Sequence, residues 1–457
     1  MKNSYKDFRF MYVNPVLRKM MAMLCEFFGN ETHPTRQKLI AMTIAMLYLN
    51  ACPSVKKMFD AFLKKQSLGA LTSFYYVLND SKLFACEWQF ILLTMILSKV
   101  EVIPGHDIVI IVDDSLVEKE GDHFELVRKL FDHCAKNGSC YLNGHCFVSI
   151  VILIPVKFDG KVKYLPIPLS HKMWNKESGD SKIKLAAQMI EEIYLHIKDK
   201  YEVVILCDSW YPKGELLDLH EKYNIPFICA VRSDTALYDL PTDPPKGKRG
   251  RKPIRGAKFS KDLNTVFDFQ EIPEYGFLIG HKQVMTDIFG RTACTAYATK
   301  SKSDGNINLF LATNNLDLRN FNTDLINNEQ MKALLAENLI YLPFTIYKFR
   351  WHIETCYYEL KSFWGFCDYK LRSYCGIQNL INLQTLLYAV MAVIPYMFEE
   401  FKSLIPMSIQ ERRYQIGELI HRLINFDLFV ADLEKANNSF GLLGKCEQYM
   451  ENQSLIG

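Results

Sequence analysis

The spacing of apolar residues divides the chain into helix-forming and strand-forming parts. Up to about residue 100, apolar residues recur at the three- and four-residue spacing of amphipathic helices, as in LRKMMAMLCEFF, RQKLIAMTIAMLYL and SVKKMFDAFLKK. After Gly105, short β-branched runs replace this spacing, and from residue 341 onward the helical spacing returns. The pattern predicts a helical N-terminal domain, a strand-rich centre and a helical C-terminal part.

The strand-rich centre has a defined order of elements. Three strands are predicted first, at residues 107–115, 145–156 and 161–169. An amphipathic helix, a strand at 201–208, a second helix and a strand at 226–234 follow. This is the order of the RNase-H-like fold, so the expected class is α/β, with a mixed sheet flanked by helices. Other mixed α/β folds share parts of the order, and the order alone does not identify a function.

The alternation of strands and helices stops between residues 235 and 340. Four alternating or apolar runs, TVFDFQEI, YGFLIGHKQVM, ACTAYATK and INLFLATN, predict the strands of a β-rich insertion. Ahead of them, residues 244–261 contain eight Lys or Arg and no acid. Such a run is typical of a solvated loop, and its cations would suit contacts to phosphate groups. The candidate phosphate-binding residues in it are Lys248, Arg249, Arg251, Lys252 and Arg255.

Composition adds limits on the class of protein. The 457 residues are 49% hydrophobic and 23% charged, which is typical of a soluble globular protein. The formal net charge of +3 says little about partners, because a basic face can be balanced by acids elsewhere. The 13 cysteines are odd in number and follow no short repeating framework, so reduced thiols are expected rather than a disulfide scaffold.

No segment predicts export or insertion into a membrane. The N-terminus lacks a long apolar stretch followed by a small-residue cleavage site. The most apolar segment, residues 386–397, is too short to span a bilayer and contains Pro395, so we expect a buried core helix. A soluble protein of the cytoplasm, with no membrane partner, is the expectation.

Two aspartates stand at the ends of predicted buried strands. Asp113 follows an apolar run in DIVIIVDDS, and Asp208 follows VVILC. A buried carboxylate is costly unless it binds a cation, and ligands of α/β sheets gather at this edge. Each residue could instead be a turn or helix N-cap. Because successive strand side chains point to opposite faces, only one of Asp113 and Asp114 can share a site with Asp208.

The predicted helix at residues 345–365 carries a row of polar side chains beside its apolar stripe. At about 100° per residue, Tyr347, Arg350, Glu354 and Lys361 fall within an arc of about 60°. Arg350 and Glu354 are four residues apart and would also pair on an ordinary solvated helix. That interpretation leaves Tyr347 and Lys361 without an explanation.

The spacing of this row resembles the YREK signature of bacterial insertion-sequence transposases that use a DDE catalytic triad. VDDS and LCDSWY resemble the first and second aspartate motifs of the same family, and the resemblance covers about residues 105–395. The usual first motif, Asp, any residue, then Thr or Ser, selects Asp113, with Asp114 as the alternative ligand. The resemblance implies that Asp113, Asp208 and Glu354 are catalytic and bind metal.

The resemblance also implies a reaction and partners. Three carboxylates would hold two divalent ions, Mg²⁺ or Mn²⁺, about 3.5–4 Å apart. The expected reaction is cleavage and strand transfer of transposon ends in cut-and-paste transposition. Arg350 and Lys361 would contact phosphates, and Tyr347 would bind a phosphate or pack against the DNA backbone. Partners would be double-stranded DNA, as terminal inverted repeats and target, and a second copy of the chain in a homodimer on DNA. The protein would be cytoplasmic and associated with the bacterial nucleoid.

The expected domain organisation follows the changes of pattern. Residues 1–104 would be a helical domain, either for packing or for binding DNA ends, and residues 401–457 a helical region for dimerisation or DNA contacts. The RNase-H-like catalytic core would comprise 105–234 and 341–400, with 235–340 as the β-rich insertion. Two other functions stay open: another RNase-H-like nuclease, and a domesticated DNA-binding protein without catalysis.

Overall fold

The structure is a computed structural model of the chain. The residues it describes are 14–49, 54–84, 88–100, 102–103, 107–132, 140–158, 161–242, 253–272, 277–317, 332–333, 335 and 339–440. The chain divides into two compact units. The first takes in residues up to 80, 368–370 and 394 onward, and the second takes in 81–367 and 371–393.

Helices form the described N-terminal part of the first unit, as the apolar spacing predicts. They are α1 (Pro15–Phe27), α2 (His33–Tyr48), α3 (Val55–Ala61) and α4 (Leu71–Leu78). The side-chain oxygen of Asn14 caps α1 by accepting the backbone N–H of Val16 at 2.9 Å. Residues 39–47 of α2 are all buried, so this helix is covered on every side rather than amphipathic as its spacing predicted.

The second unit contains the predicted order of strands and helices. Its elements in chain order are α5 (Ser81–Phe84), α6 (Trp88–Lys99), β1 (Ile108–Glu118), β2 (Arg128–Phe131), β3 (Tyr141–Phe158), β4 (Lys161–Met173), α7 (Lys182–Ile197), β5 (Val203–Cys207), α8 (Glu215–Tyr223) and β6 (Phe227–Val231). The short strand β2, which pairs with the start of β3, was not predicted. The other strands and helices between β1 and β6 lie where the apolar pattern places them.

Strand β1 lies inside the sheet, between β3 and β5. It is antiparallel to β3 and parallel to β5, while β4 is antiparallel to β3 and β6 is parallel to β5. The order β4-β3-β1-β5-β6 confirms the mixed sheet of an RNase-H-like fold. Residues 108–112 of β1 and 203–207 of β5 are all buried, as strands covered on both faces should be.

The strands of the insertion continue this sheet. They are β7 (Leu237–Tyr238), β8 (Gln270–Ile272), β9 (Phe277–Thr286), β10 (Cys294–Ser301) and β11 (Ile307–Thr313). β11 pairs antiparallel with β6, which places Leu309 opposite Val231, and the order β6-β11-β10-β9-β7 completes an 11-stranded sheet together with β4 and β8. The insertion is β-rich as predicted, and it closes the edge of β6 that the core would otherwise leave open.

The C-terminal part is helical, with one interruption that was not predicted. Its helices are α9 (Leu342–Tyr347), α10 (Trp351–Phe363), α11 (Tyr374–Met397) and α12 (Ile409–Phe440). The single helix predicted over 345–365 is divided by a 3₁₀ turn at Lys348–Arg350. α10 ends before Gly365, whose positive φ of 70° terminates the helix.

Helix α11 is longer than the apolar segment at 386–397 from which the sequence predicts a helix too short to span a bilayer. With 24 residues, α11 is long enough to do so. By length and composition alone, α11 and the stretch 81–99 could each cross a membrane. Of the most apolar window of α11, 89% is buried inside the protein, so burial rather than length identifies it as a core helix.

The long helix α12 belongs to the first unit together with α1–α4. The Arg413 guanidinium is fully buried and donates from Nη2 to the carbonyl oxygen of Met46 at 3.1 Å. The His421 ring stacks on Tyr48 with centroids 3.9 Å apart. These contacts join the two ends of the described chain in one helical unit, an association that periodicity within either segment does not predict.

Candidate active site

Strands β1 and β5 bring Asp113 and Asp208 to the same edge of the sheet. Their parallel register ends at Val112 opposite Cys207, so the two aspartates come next on neighbouring strands. β5 ends just before Asp208, but β1 continues to Glu118, so Asp113 lies inside its strand rather than at the strand end that the sequence predicted. The side chain of Asp113 is only 19% exposed.

The charge of these aspartates is poorly compensated. Burial and the neighbouring charge of Asp208 raise the pKa of Asp113 to about 7. The backbone N–H of Asp114, which donates to Oδ1 of Asp113 at 2.8 Å, lowers this pKa but does not offset the rise. Burial also raises the pKa of Asp208, whose Oδ1 accepts the backbone N–H of Trp210 at 3.0 Å. Two half-buried like charges side by side on neighbouring strands favour an added cation.

The helix row predicted from sequence faces this edge. Tyr347 donates its hydroxyl to the Cys207 carbonyl oxygen at 3.2 Å, and Lys361 donates to the Leu116 carbonyl oxygen at 2.9 Å. The row is therefore fixed to β5 at one end and to β1 at the other.

Arg350 joins the helix to the aspartate edge. Its Nη1 lies 3.2 Å from Oδ2 of Asp113, and its Nη2 pairs closely with Oε1 of Glu354. The guanidinium is only 17% exposed. One cation thus bridges the first and third predicted carboxylates, and the 3₁₀ turn that contains Arg350 directs it there.

Asp114 lies in different surroundings from Asp113. Its Oδ2 accepts from the Lys182 ammonium at 2.9 Å and from the Cys146 thiol at 3.2 Å, and its Oδ1 accepts from the Tyr211 hydroxyl at 3.0 Å. These three donors come from β3, from the start of α7 and from the loop after β5. The charge of Asp114 is thus already paired with the Lys182 ammonium, and both carboxylate oxygens accept hydrogen bonds within the protein.

The carboxylate oxygens of the site suit a hard divalent cation. In this structure, however, the Arg350 guanidinium pairs with two of the three carboxylates. Carboxylate oxygens are the ligands that Mg²⁺ and Mn²⁺ prefer. Within the described part of the chain, no three His, Cys, Asp or Glu side chains are gathered closely enough to hold a metal ion. Arg350 stands between Asp113 and Glu354, so a metal shared by those two carboxylates requires the guanidinium to move.

Only Arg255 of the five basic residues predicted to contact phosphates lies among the described residues. Lys248, Arg249, Arg251 and Lys252 lie outside the described residues. Arg255 is described, and it pairs with Asp287 and lies over the Tyr238 ring, 4.0 Å from its centroid. In this structure Arg255 therefore has protein partners.

Sequence reasoning missed Lys182 and the residues that follow Asp208. Trp210 and Tyr211 belong to the motif LCDSWY, so their place beside Asp208 was visible in the sequence. Lys182 lies 68 positions after Asp114, and no local signal connects the two. Only the packing of α7 against the sheet brings them together.

Two family models match the chain. The family described as "DDE superfamily endonuclease" matches residues 26–271, more than half of the chain. The family described as "Transposase DDE domain" matches residues 178–390. The first match contains Asp113 and Asp208, and the second contains Asp208 and Glu354. No curated protein matches the chain in sequence.

Two solved structures resemble the chain weakly. A piggyBac transposase synaptic complex with hairpin DNA is 13% identical, with a TM-score of 0.39 over 86% of this chain and 72% of that one. The NurA nuclease from Sulfolobus solfataricus is 10% identical, with a TM-score of 0.22 over 65% of this chain and 97% of that one. The family matches, by contrast, span all three predicted carboxylates. The chain belongs to the DDE superfamily of endonucleases and is a DDE transposase.

Proposed function

We propose that the protein cuts DNA at the ends of a mobile element and joins them to target DNA, with Asp113, Asp208 and Glu354 as the catalytic carboxylates. The observation that carries this proposal is the bridge made by Arg350. It draws the helix that carries Glu354 to the strand edge where Asp113 and Asp208 are neighbours. The three proposed ligands come from three separate elements: Asp113 from β1, Asp208 from the residue after β5, and Glu354 from α10.

Asp113 rather than Asp114 is the proposed ligand. Asp113 is half-buried beside another carboxylate, and its ion-pair partner Arg350 is shared with Glu354. Asp114 already holds an ammonium, a hydroxyl and a thiol. A carboxylate with three protein donors has little left to offer a metal, whereas Asp113 retains that capacity.

We propose that two ions of Mg²⁺ or Mn²⁺ are held by Asp113, Asp208 and Glu354. When bound, such ions lower the pKa of an attacking water or DNA hydroxyl and stabilise the leaving oxygen. The protein's own part is to place the phosphodiester. Arg350, once released from the carboxylates, and Lys361 contact phosphates on either side of the scissile bond. Tyr347 keeps the helix seated on β5.

The partners and domain roles are also proposals. The protein binds double-stranded DNA, both the terminal inverted repeats and the target, and works as a homodimer on DNA, because cut-and-paste transposition joins two ends. The helical region within 1–104 binds DNA ends, and the region 401–457 serves dimerisation or DNA contact. The basic residues of 244–261 contact phosphates. The protein works in the cytoplasm, at the bacterial nucleoid.

A cleavage and strand-transfer assay tests this function. The full chain is incubated with Mg²⁺ or Mn²⁺, a supercoiled target and DNA that carries the inverted repeats flanking its gene. We expect cut ends and joined products, and no product in the presence of EDTA. Asp208→Asn should abolish both products, whereas Asp199→Asn, at a carboxylate 85% exposed, should leave both unchanged. Cleavage without joining would indicate a nuclease, and DNA binding without cleavage would indicate a domesticated protein.

A further inference from the structure

Cations and tryptophan rings alternate along one side of the candidate active site. The Arg128 guanidinium carbon lies 5.4 Å from the centroid of the Trp174 ring, and the Lys182 ammonium lies 5.9 Å from the same ring. The Lys182 and Lys213 ammonium groups lie 4.3 and 4.0 Å from the centroid of the Trp210 ring. These five residues come from β2, the residue after β4, α7 and the loop after β5, and we call them the cation ladder.

Hydrogen bonds hold the cation ladder beside the carboxylates. The Lys182 ammonium donates to Oδ2 of Asp114 at 2.9 Å, and the backbone N–H of Trp210 donates to Oδ1 of Asp208 at 3.0 Å. Successive side chains of a strand point to opposite faces. The ladder therefore meets β1 on its Asp114 face, whereas Arg350 of α10 meets β1 on the other face.

The ladder carries more positive charge than its acidic partner balances. Lys182 is paired with Asp114. Within the described residues, neither Arg128 nor Lys213 forms an ion pair, and Nε of Arg128 is buried without a hydrogen-bond partner. Like charges that are gathered on two neighbouring rings repel one another, so an anion bound at the ladder would stabilise the arrangement.

The charges of the ladder favour a phosphate backbone as the ligand. Cations already lie over both rings, so the charges rather than the ring faces are offered to a ligand. Duplex DNA carries one negative charge per about 1.7 Å of its axis, so a duplex bound at the carboxylates has further phosphates within reach of a surface beside them.

A surface of this kind does not read sequence. Lys and Arg contacts to phosphates position a duplex but carry no information about its bases. The ends of a mobile element have a fixed sequence, whereas the DNA outside those ends differs at every insertion site. A surface that ignores sequence therefore suits the DNA outside the element.

We propose that the cation ladder binds backbone phosphates of the duplex that flanks the mobile element, beyond the bond that is cut. This rests on the proposed function, since that function brings the end of the element to the carboxylates. Arg350 and Lys361 bind the phosphates next to the scissile bond. Arg128 and Lys213 bind phosphates farther out in the flanking duplex, while Lys182 stays paired within the protein.

The salt dependence of DNA binding tests the ladder. Two duplexes are compared in buffer without divalent metal: one carries the inverted repeat and flanking DNA, and the other ends at the last nucleotide of the repeat. Each phosphate contact contributes about 0.9 to the slope of log affinity against log salt. Lys213→Gln should lower this slope by about one for the flanked duplex and leave it unchanged for the other. Arg128→Gln should do the same, and the double variant should lower the slope by about two.

A charge-keeping variant and a distant cation are the controls. Lys213→Arg keeps the charge and should keep the wild-type slope on both duplexes. Lys222 also lies over an aromatic ring, 4.6 Å from the centroid of Tyr223, and it pairs with Glu191. Helix α8 carries it away from the edge where β5 ends, toward the start of β6. Lys222→Gln should change neither slope.

Two results would overturn the proposal. Unchanged slopes for Lys213→Gln and Arg128→Gln on the flanked duplex would show that the ladder binds no phosphate. An equal fall on both duplexes would place the ladder on the inverted repeat instead of the flanking DNA.

The outcome is separable from the cleavage reaction, because binding is measured without metal. A fall in slope confined to the flanked duplex, in a protein that cuts no DNA when Mg²⁺ is added, supports the ladder and refutes the proposed reaction. Cleavage by a protein whose slopes do not respond to Lys213→Gln and Arg128→Gln does the reverse.

Discussion

The two sides of β1 at Asp113 and Asp114 differ in how each carboxylate is satisfied. Asp114 is held by Lys182, Tyr211 and Cys146, so its charge and lone pairs are used within the protein. Asp113 adjoins Asp208 and meets one cation, Arg350, which it shares with Glu354. The two neighbouring aspartates therefore differ in what they can bind. Asp114 stabilises the fold through its protein partners, whereas Asp113 can still bind an external cation. Substitutions on each side of β1 test this difference.

The largest effect is expected on the Asp113 side, at Glu354. Glu354→Gln keeps the size of the side chain and removes the charge that would help to hold a metal. Because a catalytic metal stabilises the transition state by several kcal/mol, DNA cleavage should fall by at least about 10³-fold. Single-turnover cleavage of inverted-repeat DNA measures this, with Asp199→Asn as the exposed control. Cleavage within a few-fold of wild type would remove Glu354 from the proposed triad.

The next prediction contrasts the stabilities of two neighbouring variants. Asp114→Asn leaves the Lys182 ammonium without its carboxylate, and the free energy of unfolding should fall by about 2 kcal/mol. Asp113→Asn should instead raise the free energy of unfolding. The pKa of Asp113 is higher in the folded than in the unfolded chain, so the ionised group is stabilising at no pH and costs stability as pH rises toward about 7.

Urea unfolding in metal-free buffer at neutral pH measures both variants. Asp113→Asn should be more stable than wild type by on the order of 1–3 kcal/mol. At low pH, where wild-type Asp113 is protonated, this gain should disappear. Equal destabilisation by the two substitutions would contradict the different surroundings described for the two residues.

Arg350 gives a prediction about metal affinity. It occupies the space between Asp113 and Glu354, so its removal frees both carboxylates. In the absence of DNA, Arg350→Gln should bind Mn²⁺ more tightly, on the order of 10-fold, while cleavage of DNA falls because a phosphate contact is lost. Calorimetric titration of Mn²⁺ measures the first effect. Arg232→Gln, at an exposed ion pair with Asp234, should leave Mn²⁺ affinity unchanged. Weaker Mn²⁺ binding by Arg350→Gln would show that Arg350 does not compete with metal.

The smallest effect is expected on the Asp114 side. Tyr211→Phe removes one hydrogen bond to Asp114 and keeps the buried ring, so stability should fall by about 1 kcal/mol. Cleavage by the folded protein should stay within about twofold of wild type, since a hydrogen bond to Asp114 does not touch the reacting atoms. Thermal melting and the cleavage rate are measured together. A large loss of cleavage at unchanged stability would place Asp114 in the active site.

Much of the site could be predicted because its signals are local. The apolar runs before Asp113 and Asp208 identify buried strands. The predicted strand end is found at Asp208, whereas β1 continues past Asp113 to Glu118. The row from Tyr347 to Lys361 follows from helix geometry alone. These predictions need only the period of a helix or strand. In the structure, the row from Tyr347 to Lys361 contacts β5 and β1 beside the two aspartates.

What could not be predicted depends on contacts between distant segments. The partners of Asp114 come from α7, β3 and the loop after β5, and no pattern along β1 indicates them. The pairing of β11 with β6, which makes the insertion part of the main sheet, is also long-range. The 3₁₀ turn at Lys348–Arg350 lies in a sequence of ordinary helical spacing, and its place is set by the packing around it.

The cleavage rates of Asp113→Asn and Asp114→Asn show most directly which of the two aspartates is catalytic. Both proteins are assayed on inverted-repeat DNA at saturating Mg²⁺, with rates corrected for the folded fraction. We predict that Asp113→Asn does not cut and that folded Asp114→Asn cuts at a rate near that of wild type. Cleavage by Asp113→Asn, with none by folded Asp114→Asn, would contradict this prediction and exchange the roles of the two aspartates.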